Sequence, residues 1–437
     1  MRAVRSSTAV TSLVVALVAA LAIHAAFVPV AGAQRAASAS PDDVARIAKS
    51  PSVLQAFAAL ERENAWTLDQ QISLCEIAAP PFKETKRGEA YRERLIALGV
   101  QSVRVDNVGN VIGEIRGTRP GPTVVLSSHL DTVFPEGTNV TVRRDGTKLS
   151  APGIGDDCRG LAVTLATARQ VIAAKIPFAG RLLIVATVGE EGAGNSRGAR
   201  ALFAGPLKDS IDAFISVDGT GYSITNGGVG SNRYRVSYVG PGGHSYEAFG
   251  MPNPIHAMGR AIAKIADLQA TASPKVTFNV GVVAGGTSVN SIADKGVMDI
   301  DLRSESAASL AAIDAKLQRA LTRALVEERA RWPKSKAPLT LKLDTIGIRP
   351  AGRTAETAPI IRTALAASKA LNVSSTLGSH STDANVAMSL GVPAMTIDGG
   401  GFGDGAHSLS EWYDDRTDGY KGPQWVLLIV MGLLGVR

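Results

Sequence analysis

Four apolar runs limit what this chain can fold into. Val124-Val-Leu126 leads into Ser-Ser-His129, Leu182–Val188 into Gly-Glu190-Glu191, Ala213–Val217 into Asp218, and Val392–Ile397 into Asp398-Gly-Gly-Gly. Continuous β-branched runs parted by helical segments such as Leu161–Ala174 describe strands buried on both faces. That is the pattern of an α/β fold with a mostly parallel sheet covered by helices. Each run ends in a polar or acidic residue. In open α/β sheets ligands sit just outside the carboxyl ends of the strands, so these residues are predicted to converge.

The remainder of the chain is organised around that sheet. Pro41 to about Leu98 reads as helical with a break at Ala79-Pro80-Pro81, and Ser102–Asp106 and Val111–Arg116 flank a hairpin turn. Between about Gly230 and Thr345 the pattern changes to strand (Tyr234–Val239), helix (Pro254–Leu268), two strands (Val276–Val283 and Lys295–Arg303), helix (Ala307–Arg331) and strand (Leu339–Leu343). This β-α-β-β-α-β order is that of a ferredoxin-like α+β module inserted into the α/β domain. The expected division is therefore 41–229 and 347–437 for the α/β domain and 230–346 for the insert.

At the amino end, Arg2 and Arg5 precede an apolar stretch from Val10 to Val30, followed by Ala31-Gly32-Ala33. Basic residues, an apolar segment and a small-x-small site in this order predict a signal peptide over 1–33 rather than a retained anchor. An exported chain, periplasmic or extracellular, with no stable membrane association after cleavage is the expectation. The formal charge of +7 falls to +5 in that mature chain, because Arg2 and Arg5 leave and no acid goes with them. With no dense Lys/Arg cluster, that excess argues against nucleic acid as a partner. Cys75 and Cys158 would meet an oxidising compartment, and whether they pair depends on a distance that sequence does not give.

The strand ends carry the chemistry. His129, Asp131, Asp156, Asp157, Glu190, Glu191, Asp218 and His407 lie at predicted strand ends or in the loops after them. Imidazole and carboxylate are ligands for zinc, manganese or cobalt. An isolated His-x-Asp would be weak, since it also occurs as a capped strand end. Four or five carboxylates drawn together repel one another, however, and bound divalent cations resolve that repulsion. The adjacent Glu190 and Glu191 suit a division in which one binds metal and the other acts as a base.

The motifs "SSHLDTVFPEGT", "APGIGDDCRG", "VGEEGAGNSRGA", "SVDGTG", "PGGHSY", "SVNSIADKGVMDIDLRS" and "AHSLSEWYD" follow one another as in the dinuclear zinc exopeptidases. From about residue 65 to the C-terminus the chain resembles that family, which includes peptidase T, glutamate carboxypeptidase, aminoacylase, carnosinase and succinyl-diaminopimelate desuccinylase. The resemblance implies two divalent metal ions, zinc above cobalt or manganese. His129, Asp156 and Asp218 would hold one, Asp156, Glu191 and His407 the other, with Asp156 shared. It further implies that Asp131 hydrogen-bonds His129 and fixes its tautomer, and that Glu190 takes a proton from the attacking water and passes it to the leaving amine. The insert would be a lid and dimerisation domain of a homodimer, with His244 reaching the partner subunit's site to stabilise an oxyanion. Asn290 and Arg303 would bind the substrate's backbone or carboxylate.

Two positions depart from the family pattern. Cys158 stands where lysine is common, and His380 stands where glycine or serine is common, so His380 either lines the pocket or lies on the surface. Asp218, where carboxypeptidases and deacylases of the family carry glutamate, points to a di- or tripeptide aminopeptidase. The alternatives are a carboxypeptidase or N-acyl-amino-acid amidohydrolase of the same family, and a catalytically inactive binding homologue.

Overall fold

In the computed structural model, which describes residues 40–436, the four apolar runs form adjacent parallel strands in the order Ala179–Thr187, Arg119–His129, Ala213–Val217 and Ala394–Ile397. The expected signal peptide, 1–33, lies outside the described residues. Antiparallel strands flank this parallel centre. Val111–Arg116 and Gln101–Val105 extend one side, and Ile224–Gly228 extends the other, pairing in turn with Gly352–Arg353 and Leu377–His380.

The continuous apolar runs are explained by burial on both faces. Val124, Leu126, Leu182, Ile184, Ile215 and Val217 face a core shared with the carboxyl-terminal helix Lys421–Leu434, whereas Val125, Leu183, Val185 and Phe214 face a second one with the helices Arg197–Ala204 and Ala384–Ser389. The Lys421–Leu434 helix is apolar on every side because the sheet and neighbouring helices enclose it. Trp425 is fully buried there and donates its indole N–H to Ser368 Oγ at 2.9 Å. Among the described residues no helix is long and apolar enough to cross a membrane. Cys75 and Cys158 are both buried and free.

A separate four-stranded antiparallel sheet is formed by Val276–Gly285, Lys295–Ser304, Gly230–Val239 and Thr340–Arg349, in that spatial order. Its helices, Pro254–Ala266 and Ala307–Arg331, cover one face and share a core of its own, built from residues such as Tyr238, Met258, Leu302 and Leu317. Strand order and connectivity are those of a ferredoxin-like unit. The last strand runs on to Arg349, past the expected Leu343, because an irregularity between Thr345 and Gly347 resets its register without ending the pairing.

A third, small sheet was not expected. Arg143–Asp145, Lys148–Ser150, Trp412–Asp414 and Phe402–Asp404 pair antiparallel, each strand only three residues long. Its effect is positional: it sets the loop after Ser150 beside the loop before Trp412, and these loops carry Asp156 and His407.

Candidate metal centre

The cluster forms where the parallel strands end. His129 closes its strand, Glu190 and Glu191 follow Thr187, and Asp218 follows Val217. Gly189 makes the Glu190–Glu191 turn feasible, since its φ of +63° lies in the left-handed region and a Cβ there would stand 1.9 Å from Arg197 Nη1.

His129 is oriented by a second contact on its other ring nitrogen. The His129 Nδ1–H donates to the main-chain carbonyl of Asp131 at 3.0 Å, which leaves Nε2 facing the cluster. Asp131 therefore orients His129, but through its backbone, its carboxylate being 3.7 Å from Nδ1. That carboxylate instead accepts the main-chain N–H groups of Glu190 and Glu191, both at 2.9 Å, and so fixes the turn bearing both glutamates. Asp156 and Asp157 divide their work sharply. Asp157 accepts the His129 N–H at 2.8 Å and caps the helix Cys158–Ala173 by accepting the Gly160 N–H at 2.9 Å. Asp156 faces the cluster.

The position of Asp156 is the central observation. Its Oδ1 lies 2.9 Å from His129 Nε2 and its Oδ2 lies 3.1 Å from His407 Nε2. His129 Nε2 is 3.8 Å from Asp218 Oδ1, and His407 Nε2 is 2.9 Å from Glu191 Oε1. One carboxylate thus serves two groups of donors, one with His129 and Asp218, the other with Glu191 and His407. Atoms bound to one zinc at about 2.0–2.2 Å stand roughly 3–3.5 Å apart; three of these spacings are close to the edges of coordination tetrahedra, and the 3.8 Å from His129 Nε2 to Asp218 Oδ1 is longer. Among the described residues, His129, Asp156 and Glu191 bring ligand atoms within 4.8 Å of one another. The donor set fits two divalent cations sharing Asp156.

The protonation pattern has the same cause. Burial by itself lowers the His129 pKa, yet the carboxylates of Asp131, Asp156 and Asp218 outweigh it and hold the ring well above the usual histidine range. Hydrogen bonds to Asp156 and Glu191 raise His407 to about 10. Burial would raise Asp156, but the two histidines hold it below the usual carboxylate range. Without a cation the two imidazoles must carry the compensating positive charge, and metal binding would displace those protons.

Glu190 stands apart from these donors. It is buried, and its Oε1 accepts Arg349 Nη1 at 2.8 Å, while Arg349 Nη2 donates to the Glu190 carbonyl. Burial pushes the Glu190 carboxyl well up, and the Arg349 guanidinium opposes that rise. Arg349 also donates to Ser381, through the carbonyl at 3.3 Å and Oγ at 3.2 Å.

A cleft of about 550 Å³ opens over the cluster, lined by Asp156, Glu190, Glu191, Asp218 and His407 and also by Arg233, Arg303, Arg349 and His380. Arg303 and His380 thus lie at the cleft. Asn290 and His244 do not line it within one chain. His244 sits exposed on a two-residue ribbon paired with Ser291–Ile292, and the Asn290 side chain accepts the Ser288 hydroxyl at 2.6 Å.

Two supporting residues escaped sequence reasoning. Arg349 ends a strand ahead of Pro350 with no pattern linking it to a glutamate far upstream. Glu411 lies in the stretch "AHSLSEWYD", four residues after His407, yet acts on main-chain groups, which have no sequence signature. Its carboxylate accepts the N–H groups of Gly153 at 2.7 Å, Gly155 at 2.8 Å and Asp156 at 2.9 Å.

Comparison with known proteins identifies relatives of this chain. The model of peptidase family M20/M25/M40 matches residues 125–431. The chain is 25% identical over 242 residues to the Bacillus subtilis protein YqjE, a match covering 52% of this chain and 63% of that protein, just under two thirds of its length. It is 27% identical over 267 residues to the succinyl-diaminopimelate desuccinylase of Leptothrix cholodnii, covering 55% of this chain and 69% of that enzyme. Its fold is similar to that of the aminopeptidase PepT from Bacillus cereus, with a TM-score of 0.69 at 21% identity over 84% of this chain and 98% of that one. With the family model covering most of its length, the chain belongs to peptidase family M20/M25/M40.

Proposed function

We propose that this chain is a metal-dependent exopeptidase that hydrolyses amide bonds of short peptides, acting as a di- or tripeptide aminopeptidase. The observation that carries the reading is Asp156, whose two oxygens face two different histidines while Glu190 stands beside the donors without joining them. Two divalent cations bound there would polarise the scissile carbonyl and make water acidic enough to attack it.

The protein's own residues supply the remainder. Glu190 removes the proton from the attacking water and delivers it to the nitrogen of the leaving amine, so that no charged amide anion departs. Asp131 holds the Glu190 main chain, and Arg349 holds its carboxylate, limiting the positions from which it can act. Arg303 binds a carboxylate of the substrate, and His380 borders the same cleft. His244 and Asn290 are proposed to serve the neighbouring subunit of a homodimer, which accords with their exposure in the single chain. Export, with removal of 1–33, is proposed on the amino-terminal sequence.

A carboxypeptidase or N-acyl-amino-acid amidohydrolase is the second reading, and the arginine-rich wall of the cleft favours it. One panel separates the two. Metal-loaded protein is offered free tripeptides, their N-acetylated forms and N-acyl amino acids. Cleavage of free tripeptides from the amino end, with blocked forms refused, supports the aminopeptidase. Faster hydrolysis of blocked substrates moves the enzyme to the second reading, and inactivity on all three, with both metals bound, rejects both.

A further inference from the structure

The face of the four-stranded sheet turned away from its helices carries a ladder of charge that becomes unbalanced at the cleft. Register places Arg235 opposite Asp299, Arg233 opposite Asp301, and Arg303 opposite Ser231, which faces Arg349 on its other side. The rung farther from the cleft is closed, since Arg235 gives Nε and Nη2 to the two oxygens of Asp299 at 2.8 and 2.7 Å, and Asp344, opposite Arg235 on the other side, pairs with Lys342 at 2.8 Å. At the next rung one acid serves two bases. Arg233 Nε donates to Asp301 Oδ1 at 3.1 Å, and Arg303 Nε donates to Asp301 Oδ2 at 2.6 Å. The last rung contains no acid, and its Arg349 is engaged with Glu190.

One guanidinium is therefore in excess where the ladder meets the cleft. Arg233 and Arg303 both line that cleft. Each uses only Nε on Asp301, so among the described residues the Nη groups of both have no hydrogen-bond partner. Two planar forks aligned by one carboxylate can each dock a carboxylate through paired N–H groups. A substrate with only a terminal carboxylate would engage one fork and leave the other to be desolvated without a counter-charge, which is unfavourable.

We propose that Arg233, aligned with Arg303 by Asp301, forms a subsite for a side-chain carboxylate, so that the enzyme prefers short peptides containing an aspartyl or glutamyl residue in addition to their free C-terminus. This rests on the reading of the cleft as a short-peptide site. Arg303 takes the terminal carboxylate and Arg233 determines the preference for a second one.

The test uses alanine tripeptides in which each position in turn carries Glu or its neutral isostere Gln, with kcat/KM measured on the metal-loaded enzyme. At one position Glu should exceed Gln by about 10–100-fold, the size of a hydrogen bond to a charged group. Arg233→Gln should bring that ratio close to one, and Arg233→Lys should keep part of it. Arg235→Gln, whose charge is closed on Asp299, should keep all of it. Equal rates for Glu and Gln at every position, or a preference that survives Arg233→Gln, would overturn the subsite and leave the peptidase reading intact. If no peptide is cleaved, the peptidase reading fails and calorimetry decides the subsite. Glutarate binding about tenfold tighter than butyrate in wild type but not in Arg233→Gln sustains it, and equal binding overturns it.

Discussion

His129 and His407 bring the same ring nitrogen to the same carboxylate, yet the protein supports them in opposite ways. The His129 side chain is 2% exposed, ends a central strand, and has both its main-chain N–H and its Nδ1 engaged. The His407 side chain is 55% exposed, sits in a loop, and adopts a φ of +65°, a left-handed conformation that costs a non-glycine residue of order 1–3 kcal/mol. One ligand is a consequence of the sheet. The other depends on two loops being held together, by the pairing of Lys148–Ser150 with Trp412–Asp414 and by the Glu411 carboxylate, which reaches across 256 residues of sequence.

Removing the residue common to both sides should have the largest effect. Asp156→Ala leaves each histidine without its shared partner, so metal content measured by elemental analysis should fall towards zero and activity below detection. Retention of two ions per chain would show that Asp156 is not shared and that the comparison is drawn between the wrong residues. Glu190→Gln comes next. It should reduce turnover by about 10²–10⁴-fold, the usual contribution of a general base, with metal content unchanged. An empty site in that variant would exchange the roles of the two glutamates.

Chelation tests the asymmetry itself with a smaller perturbation. Dialysis against increasing chelator should release the ion on the exposed His407 side first, giving a plateau at one ion per chain before the second leaves. Loss of both in one step would mean that the difference in burial has no thermodynamic counterpart. Any intermediate should keep its fold, because His129 and Asp157 tie the remaining position to the strand and to the helix Cys158–Ala173.

The same asymmetry explains what could be read in advance. The central strands were legible because burial on both faces demands uninterrupted apolar residues, and their final residues then mark the site without further information. The insert was legible because its alternation and two long amphipathic helices produce a local pattern. The small sheet was not, since strands such as Lys148–Ser150 and Trp412–Asp414 are three residues long and carry no periodicity. Asp131 showed the limit most clearly: the family resemblance implied a hydrogen bond to His129, which its main-chain carbonyl makes, while the carboxylate is drawn to the Glu190 and Glu191 amides. Which of two neighbouring polar groups captures a donor depends on packing from distant parts of the chain. Arg349 is of the same kind, because the strand that carries it belongs to the other sheet.

The finest test of the comparison is Glu411→Gln, which changes no ligand and almost no volume. Oε1 accepts two N–H groups, from Gly155 and Asp156, and Oε2 accepts one, from Gly153. A glutamine has a single acceptor oxygen, and in the better orientation it keeps the pair and turns its NH₂ towards the Gly153 N–H. Two donors then face each other in a buried site, so the loop before Asp156 must shift. Altering such supporting hydrogen bonds typically weakens metal binding by about 10–100-fold. The loss should concentrate on the ion beside His407, because Glu411 belongs to that loop, while the ion beside His129 keeps its strand and helix supports. Competition with a chromophoric chelator would resolve the two affinities. A loss confined to the His407 side would confirm that this half of the centre is held by loop contacts, and equal losses on both sides would show that the shift of Asp156 is transmitted to both ions alike.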